Sequence, residues 1–507
     1  MILADLIERN AAFAPEKCAV YYQGETWTYA FFADRIAALA RALKSQLNVH
    51  RGDRVAISSI NHPDYLALLY ACARLGAMLV PLNWRLAVPE QLFILSDASV
   101  KAAFVAQEFD AICEPLTAAH SDVHLVGLNY TPGRGMALSE LLTGDSGDGR
   151  DPNVAWHTPL LIVYTAGTTG RPKGAVLAHE ALLWNAVMSQ HMHAMTSDDH
   201  ILTVLPLFHV GGLNIQTTPA LQLGATVTLH PRFSTDDTLR AIEHDRPTLT
   251  VLVPSTIQSL IEDSGWEGAD LSSLRAITTG STLVPQGLVN AAQARGVPVL
   301  QVYGATETCP IAVYTRLGGD LLRAGSTGLP GLMCEARLLD DAGQEVPVST
   351  PGEVVVRGPN VLLEYWRNEA ATTEAIRDGW FHTGDIAVRD ADGYFTIHDR
   401  KKNMIVSGGE NVYPAEVERV LLEHAAVAEA AVIGIADPRW QEVPMAFVVL
   451  RSEMQVTAAE LRAFTLSQLA RFKVPREFIF VEDLPRNALG KVQHYRLKET
   501  LRSSTDW

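Results

Sequence analysis

Apolar residues recur along the first third of the chain in two alternating rhythms. After Thr28, the residues Phe32, Ile36, Leu39, Leu43 and Leu47 fall at helical spacing, and Arg51-Gly52-Asp53 then interrupts before the strand-like run Val55 to Ile60. A helix from Asp64 to Leu75 leading to a strand Ala77 to Pro81 repeats the unit. Further strands are predicted at Val100 to Val105, Leu160 to Val163, Leu249 to Pro254, Leu274 to Thr278 and Val297 to Tyr303. Such alternation favours layered α/β sheets. Between Thr131 and Asn153 the periodicity fades into glycine and aspartate, which reads as a surface connection.

From Gly352 the texture changes to short β runs with tight turns, Glu353 to Arg357 and Gly393 to Ile397. A second, smaller body follows. Its helix begins near Pro414, strands follow at Ala431 to Ile435 and Met445 to Leu450, Thr457 and Glu460 form a capping box, and Phe478 to Val481 reads as a last strand. The fold class expected is α/β: a large N-terminal body of several subdomains with layered sheets, plus a small α+β C-terminal domain.

With 507 residues the chain exceeds one typical core, and with 48% hydrophobic and 19% charged residues it has the composition of an ordinary globular protein. A formal net charge of -16 argues against nucleic acid as partner and against a polybasic membrane anchor, so a polyanionic ligand must be held by local cations. The apolar stretch Tyr65 to Trp84 is broken by Arg74, Gly76 and Pro81 and is no transmembrane segment. Cys18, Cys72, Cys113, Cys309 and Cys334 are scattered, which fits reduced thiols, and residues 1–15 lack a signal-peptide core. A cytoplasmic location is expected.

Candidate chemistry concentrates in Tyr164 to Gly174. There, Thr165, Gly167, Thr168, Thr169 and Gly170 supply hydroxyls and free backbone N–H groups, and Arg171 and Lys173 supply charge, a combination suited to a triphosphate. Pro172 occupies the place of the second glycine of a Walker A loop, so the stretch is not one. Four more stretches put polar residues and glycines at the ends of apolar runs: Thr278 to Thr282, Gln301 to Thr308, Phe381 to Asp385, and Asp399 through Asn411. Strand ends are where α/β sheets bind ligands. His191 and His193 have no third ligand near them in sequence, and no metal is assigned to them.

On these five stretches, in this order, the chain resembles the acyl-CoA synthetases of the adenylate-forming superfamily over nearly its whole length. The resemblance implies ATP, Mg²⁺ and coenzyme A, and a two-step reaction. A carboxylate attacks the α-phosphate, pyrophosphate leaves, and a thiol takes the acyl group from AMP. Because one anion attacks another, such catalysis rests on cations and oriented donors. By resemblance, Glu307 binds Mg²⁺ and Thr306 the α-phosphate, with Tyr303, Gly304, Ala305 and Ile397 around the nucleotide. Asp385 and Arg400 hold the ribose, and Gly280 and Ser281 border adenine and the acyl pocket. Lys491 is the catalytic lysine of the first step, and Lys402 is the hinge between a domain at 1–401 and a mobile domain at 402–507.

His209 resembles the histidine beside the acyl pocket, with Val210, Leu213 and Ile311 as lining. Gly408, Gly409, Trp440 and Phe472 fall where CoA ligases pass the pantetheine and rest the nucleotide, with Arg471, Lys473 and Arg476 as cations for its phosphates. The lining stretches Phe208 to Asn214 and Cys309 to Val313 contain no Arg or Lys, so the acid expected is a monocarboxylate with an apolar tail, a fatty acid first and an aryl acid as the alternative. A stand-alone enzyme loading a carrier protein, and an oxygenase that shares the adenylation step, remain as rival readings. Retention of Lys402 and Lys491 speaks against a nonenzymatic ATP-binding module. The oligomeric state stays open, a homodimer included.

Overall fold

The computed structural model describes residues 2–143, 147–165, 172–280, 284–319, 325–400, 403–407, 410–437, 440–469, 471–486 and 492–503; for a few of these, Arg400 among them, the backbone alone is described. The predicted helix after Thr28 spans Tyr29–Ser45, with the Thr28 hydroxyl accepting from Phe31 N at 3.2 Å, and it buries Phe32, Ile36, Leu39 and Leu43. The next helix, Pro63–Leu75, has proline in its first turn and is buried along its entire length. Even Arg74 on it is buried, bound to Glu8 at 2.5 Å. No helix among the described residues is long and apolar enough to cross a membrane.

Two large sheets make the N-terminal body. In the nine-stranded sheet the strands Cys18–Tyr22, Thr226–Leu229, His200–Thr203, Leu249–Val251, Ala276–Gly280 and Val299–Tyr303 run parallel side by side. The eight-stranded sheet has a parallel centre of Pro159–Thr165, Met78–Pro81, Arg54–Ser58 and Ala102–Val105, flanked on one side by the antiparallel Lys173–Ala178 and Glu364–Tyr365. One apolar core, containing Val20, Ile201 and Leu249 of the first sheet and Val55, Leu79 and Leu161 of the second, joins both through the helices Tyr29–Ser45, Pro63–Leu75 and His179–His193. Each fully buried Leu or Phe in it contributes about 1.5–3 kcal/mol.

A five-stranded antiparallel sheet follows, from Glu335–Leu339 to Phe395–Arg400, around Val354, Val356 and Phe395. Another five-stranded sheet begins at Ile405–Ser407 and carries the helices Pro414–Leu422 and Ala458–Gln468. The Thr457–Glu460 box forms as predicted, Glu460 N donating to Thr457 Oγ1 at 3.3 Å and Thr457 N to Glu460 Oε2 at 2.8 Å.

Two expectations change. Pro254 does not close a strand; the strand ends at Val251 and Pro254 opens the helix Pro254–Glu262, where its missing N–H costs nothing. The stretch 131–153 is more than a surface connection. It buries Leu138 and Leu141 in the core, and Arg150 pairs with Asp5 at 2.7 Å and with Glu8, stapling the stretch to the first helix, Leu3–Phe13.

Candidate active site

Thr165, Gly280 and Tyr303 stand at the carboxyl ends of their strands, and the two large sheets touch there through Glu307. Thr165, last residue of Pro159–Thr165, stands opposite Lys173 across the antiparallel pair, and its Oγ1 is 3.5 Å from Glu307 Oε1, which belongs to the turn following the other sheet. Gly167, Thr168, Thr169, Gly170 and Arg171 lie outside the described residues, as do Ser281, Lys402, Gly408, Gly409, Lys491 and the side chain of Arg400.

Beyond the strand Val299–Tyr303 the chain turns sharply. A Cβ on Gly304 would lie 1.7 Å from the Pro310 carbonyl oxygen, so only glycine fits. Ala305 N donates to Thr308 Oγ1 at 2.9 Å, closing the turn that presents Thr306 and Glu307, both largely buried. On the neighbouring strand, Gly280 meets the same constraint, since a Cβ there would come within 2.2 Å of Val302 O. Tyr303 Oη donates to Asp385 Oδ2 at 2.8 Å, and Asp385 is the cross-strand partner of Arg400. Ile397 pairs with Ala387 on the same two strands. Four of the stretches are thus linked by contacts or strand pairing, and the fifth joins them through the backbone of Arg400, while 405–407 and 410–412 belong to the C-terminal sheet.

Tyr365 was not foreseen. It sits in the two-residue strand Glu364–Tyr365, its Oη donates to Glu307 Oε1 at 2.8 Å, and Lys173 Nζ lies 5.4 Å from the centre of its ring. One tyrosine therefore fixes the carboxylate and faces the cation. A strand this short leaves no periodicity to read. Asn185 is a second such residue: its amide donates to Asn214 O at 2.6 Å and accepts from Ile311 N at 3.2 Å, joining the two stretches predicted to line the acyl pocket. Val210, Leu213 and Ile311 are buried.

His209 is the cap of the turn Val210–Gly212, its Nδ1 accepting from Gly211 N at 3.0 Å. His191 meets Tyr314 Oη at 2.9 Å, whereas His193 is buried against Ser189 and Thr278, so the two rings serve separate contacts.

Beside Phe208 stand side chains from outside the two lining stretches. Trp84 stacks on Phe109 at 5.5 Å and meets Phe208 edge-on at 6.2 Å, while Arg85 and Arg232 lie 4.8 and 4.7 Å from its ring. Arg85 also lies 5.7 Å from the Phe208 ring. Arg85 thus reaches Phe208 from a distant segment, with Arg232 on the Trp84 ring; burial and the like charge of Arg232 lower the Arg85 pKa.

In the C-terminal domain Trp440 is 43% and Phe472 38% exposed, so neither is a core residue. The cationic cluster predicted nearby is largely neutralised: Lys473 Nζ bonds both Glu416 oxygens at 2.7 Å and Arg476 pairs with Asp437. Asp437 Oδ1 also accepts from Trp440 N at 2.9 Å, which ties the tryptophan to the segment that carries Phe472.

A fold of two large α/β sheets with polar, glycine-bearing strand ends is that of a nucleotide-handling enzyme. The chain belongs to the AMP-binding enzyme family, whose model matches residues 7–366, with the AMP-binding enzyme C-terminal domain over residues 416–491. Within that family it is an acid–CoA ligase of the AMP-forming type. It is 47% identical over 507 residues to the indoleacetate–CoA ligase of Aromatoleum aromaticum, covering 100% of this chain and 99% of that one. It is 40% identical over 486 residues to a feruloyl-CoA synthase of an Amycolatopsis species, covering 96% of each. Among solved structures it is similar to the o-succinylbenzoate coenzyme A synthetase of Bacillus subtilis in complex with ATP and a magnesium ion, with TM-score 0.86, 33% identity, and coverage of 97% of this chain and 99% of that one.

Proposed function

We propose that the protein activates an aromatic carboxylic acid, consuming ATP with Mg²⁺ and delivering the acyl group to coenzyme A. What carries this reading is the end-to-end match to an indoleacetate–CoA ligase at 47% identity, backed by the feruloyl-CoA synthase at 40%. Both relatives are named for aromatic acids, which favours the aryl alternative over the fatty acid put first from sequence.

The residues fit the chemistry. Glu307 makes no ion pair among the described residues and is oriented by hydroxyls, an arrangement that suits a hard dication, which takes oxygen ligands. Bound there, Mg²⁺ would neutralise phosphate charge. Asp385, held by Tyr303, offers acceptors for the two ribose hydroxyls, with Arg400 beside it in register. Thr165 and Lys173 flank the phosphates, Thr306 faces the α-phosphate, and Lys491 supplies the mobile ammonium that bridges carboxylate and phosphate oxygens. For the second step the 402–507 domain reorients about Lys402, bringing Gly408 and Gly409 to the pantetheine and Trp440 and Phe472 to the nucleotide of CoA; the exposure of those two rings supports this role.

The test is ATP–pyrophosphate exchange and CoA release with indole-3-acetate, phenylacetate, ferulate, benzoate, hexanoate and palmitate. The highest kcat/KM is expected with an arylacetic or other aryl acid. Preference for hexanoate or palmitate would refute the reading.

A further inference from the structure

The segment from Asn360 to Trp366 reaches in two directions. Toward the strand Lys173–Ala178, Leu363 N donates to Val176 O at 2.8 Å and Trp366 N to Gly174 O at 2.7 Å. Toward the turn that follows Val299–Tyr303, Leu362 N donates to Glu307 O at 2.8 Å and Tyr365 Oη to the Glu307 carboxylate at 2.8 Å. Glu307 is thereby held at both its backbone and its side chain by one segment remote in the chain.

Asn360 heads this segment and is fully buried. Its amide nitrogen donates to two carbonyls at the exit of the same turn, Thr308 O at 2.9 Å and Ile311 O at 2.8 Å. An Asn amide carries two N–H groups on one nitrogen, so a single side chain can bridge two acceptors. Between those acceptors Cys309 has φ 70° and ψ 19°, a left-handed conformation that few residues with a side chain adopt. Such a conformation persists only where its surroundings hold it. Here they are Asn360 on the two carbonyls and Asn185 Oδ1, which accepts from Ile311 N at 3.2 Å.

The consequence falls on the residue just before the clamp. Thr306–Thr308 is a single 3-10 turn with Glu307 at its centre, and Cys309 N donates back to Thr306 O at 3.2 Å, so releasing the exit of the turn frees the peptide that carries the carboxylate. We infer that Asn360 is a positioning residue for Glu307: by clamping the exit of the turn it sets the direction of the carboxylate before nucleotide or metal arrives. This rests on the reading of Glu307 as the Mg²⁺ residue given above. A carboxylate already aimed loses no freedom when its ligand binds, whereas a loose one must be ordered at that moment.

The experiment uses the full chain, Asn360→Ser, Asn360→Leu, Glu307→Gln, and Glu307→Gln combined with Asn360→Ser. Amide hydrogen exchange over residues 304–312, read without nucleotide or metal, is expected to be slow in the wild type and at least about tenfold faster in both Asn360 variants. In those variants kcat/KM for pyrophosphate exchange should fall by roughly 10- to 100-fold and the half-maximal Mg²⁺ concentration rise at least about threefold, with thioester formation from supplied acyl adenylate nearly kept. Added to Glu307→Gln, Asn360→Ser should cost less than about twofold more, since its effect passes through that carboxylate. An unchanged Mg²⁺ requirement, equal losses in both half-reactions, or full additivity with Glu307→Gln would overturn the assignment and leave Asn360 a residue of the fold alone. A Glu307→Gln chain with unaltered Mg²⁺ dependence would instead refute the metal reading. Should neither Asn360 variant fold, the wild type still decides: slow exchange in the bare chain supports a preset turn, and exchange that slows only on adding ATP with Mg²⁺ would overturn it.

Discussion

Tyr365→Phe tests the hydrogen bond from Tyr365 Oη to Glu307 Oε1. The substitution removes a single oxygen, keeping the ring that faces Lys173 Nζ at 5.4 Å and its packing in the core. What is lost is the 2.8 Å bond from Tyr365 Oη to Glu307 Oε1, leaving Thr165 Oγ1, at 3.5 Å, to orient the carboxylate. A hydrogen bond to a charged group is worth about 1.5–3 kcal/mol. If that energy is used to place Glu307 for adenylation, kcat/KM for pyrophosphate exchange should fall by roughly 10- to 150-fold. The Mg²⁺ concentration giving half-maximal rate should rise with it. Thioester formation from supplied acyl adenylate, which no longer needs a metal on departing phosphates, should fall less than about threefold. The assay is therefore both half-reactions over a Mg²⁺ titration, with a denaturant melt as the folding control. Equal losses in the two half-reactions, or an unchanged Mg²⁺ dependence, would show that Tyr365 only props up the fold.

Lys491→Ala should lower adenylation by at least about a hundredfold while largely sparing thioester formation from supplied adenylate; equal losses would assign the lysine a structural role. Lys402→Pro should retain near-normal pyrophosphate exchange but strongly reduce thioester formation, since proline fixes φ where the two-pose scheme needs it to change, and Lys402→Ala should alter little. Comparable loss of both steps in a folded proline variant would count against two poses. Burial holds the pKa of His179 and His193 down at about 4, so the unfolded chain takes up protons near pH 6.5 that the folded chain refuses. Stability should be complete above pH 6.5 and decline as pH falls towards 4, by about 3 kcal/mol for the pair between pH 6.5 and 5. A pH-independent melting temperature across that interval would contradict this, and His179→Gln should make the decline shallower.

Local order was legible in the sequence because it is written in spacing. Phe32 to Leu43, the proline at the head of Pro63–Leu75, and the Thr457–Glu460 box each encode a period or a cap that neighbouring residues satisfy among themselves. The candidate stretches stood out for a related reason: Thr165, Gly280 and Tyr303 end their strands, as the pattern predicted, and strand ends are where α/β sheets bind ligands. Partnership was not legible, because partners are chosen by how distant segments converge. Tyr365 reaches Glu307 across 58 residues and Tyr303 reaches Asp385 across 82. Lys473 and Arg476 looked like a cationic patch until Glu416 and Asp437, invisible to local spacing, were folded against them. Arg85 came to rest over Phe208, although neither lining stretch contains a cation. His193 meets Thr278 across 85 residues. Periodicity is a property of adjacent residues and survives in the unfolded chain, whereas proton and charge partnerships exist only after burial has removed the water that would otherwise satisfy each group separately.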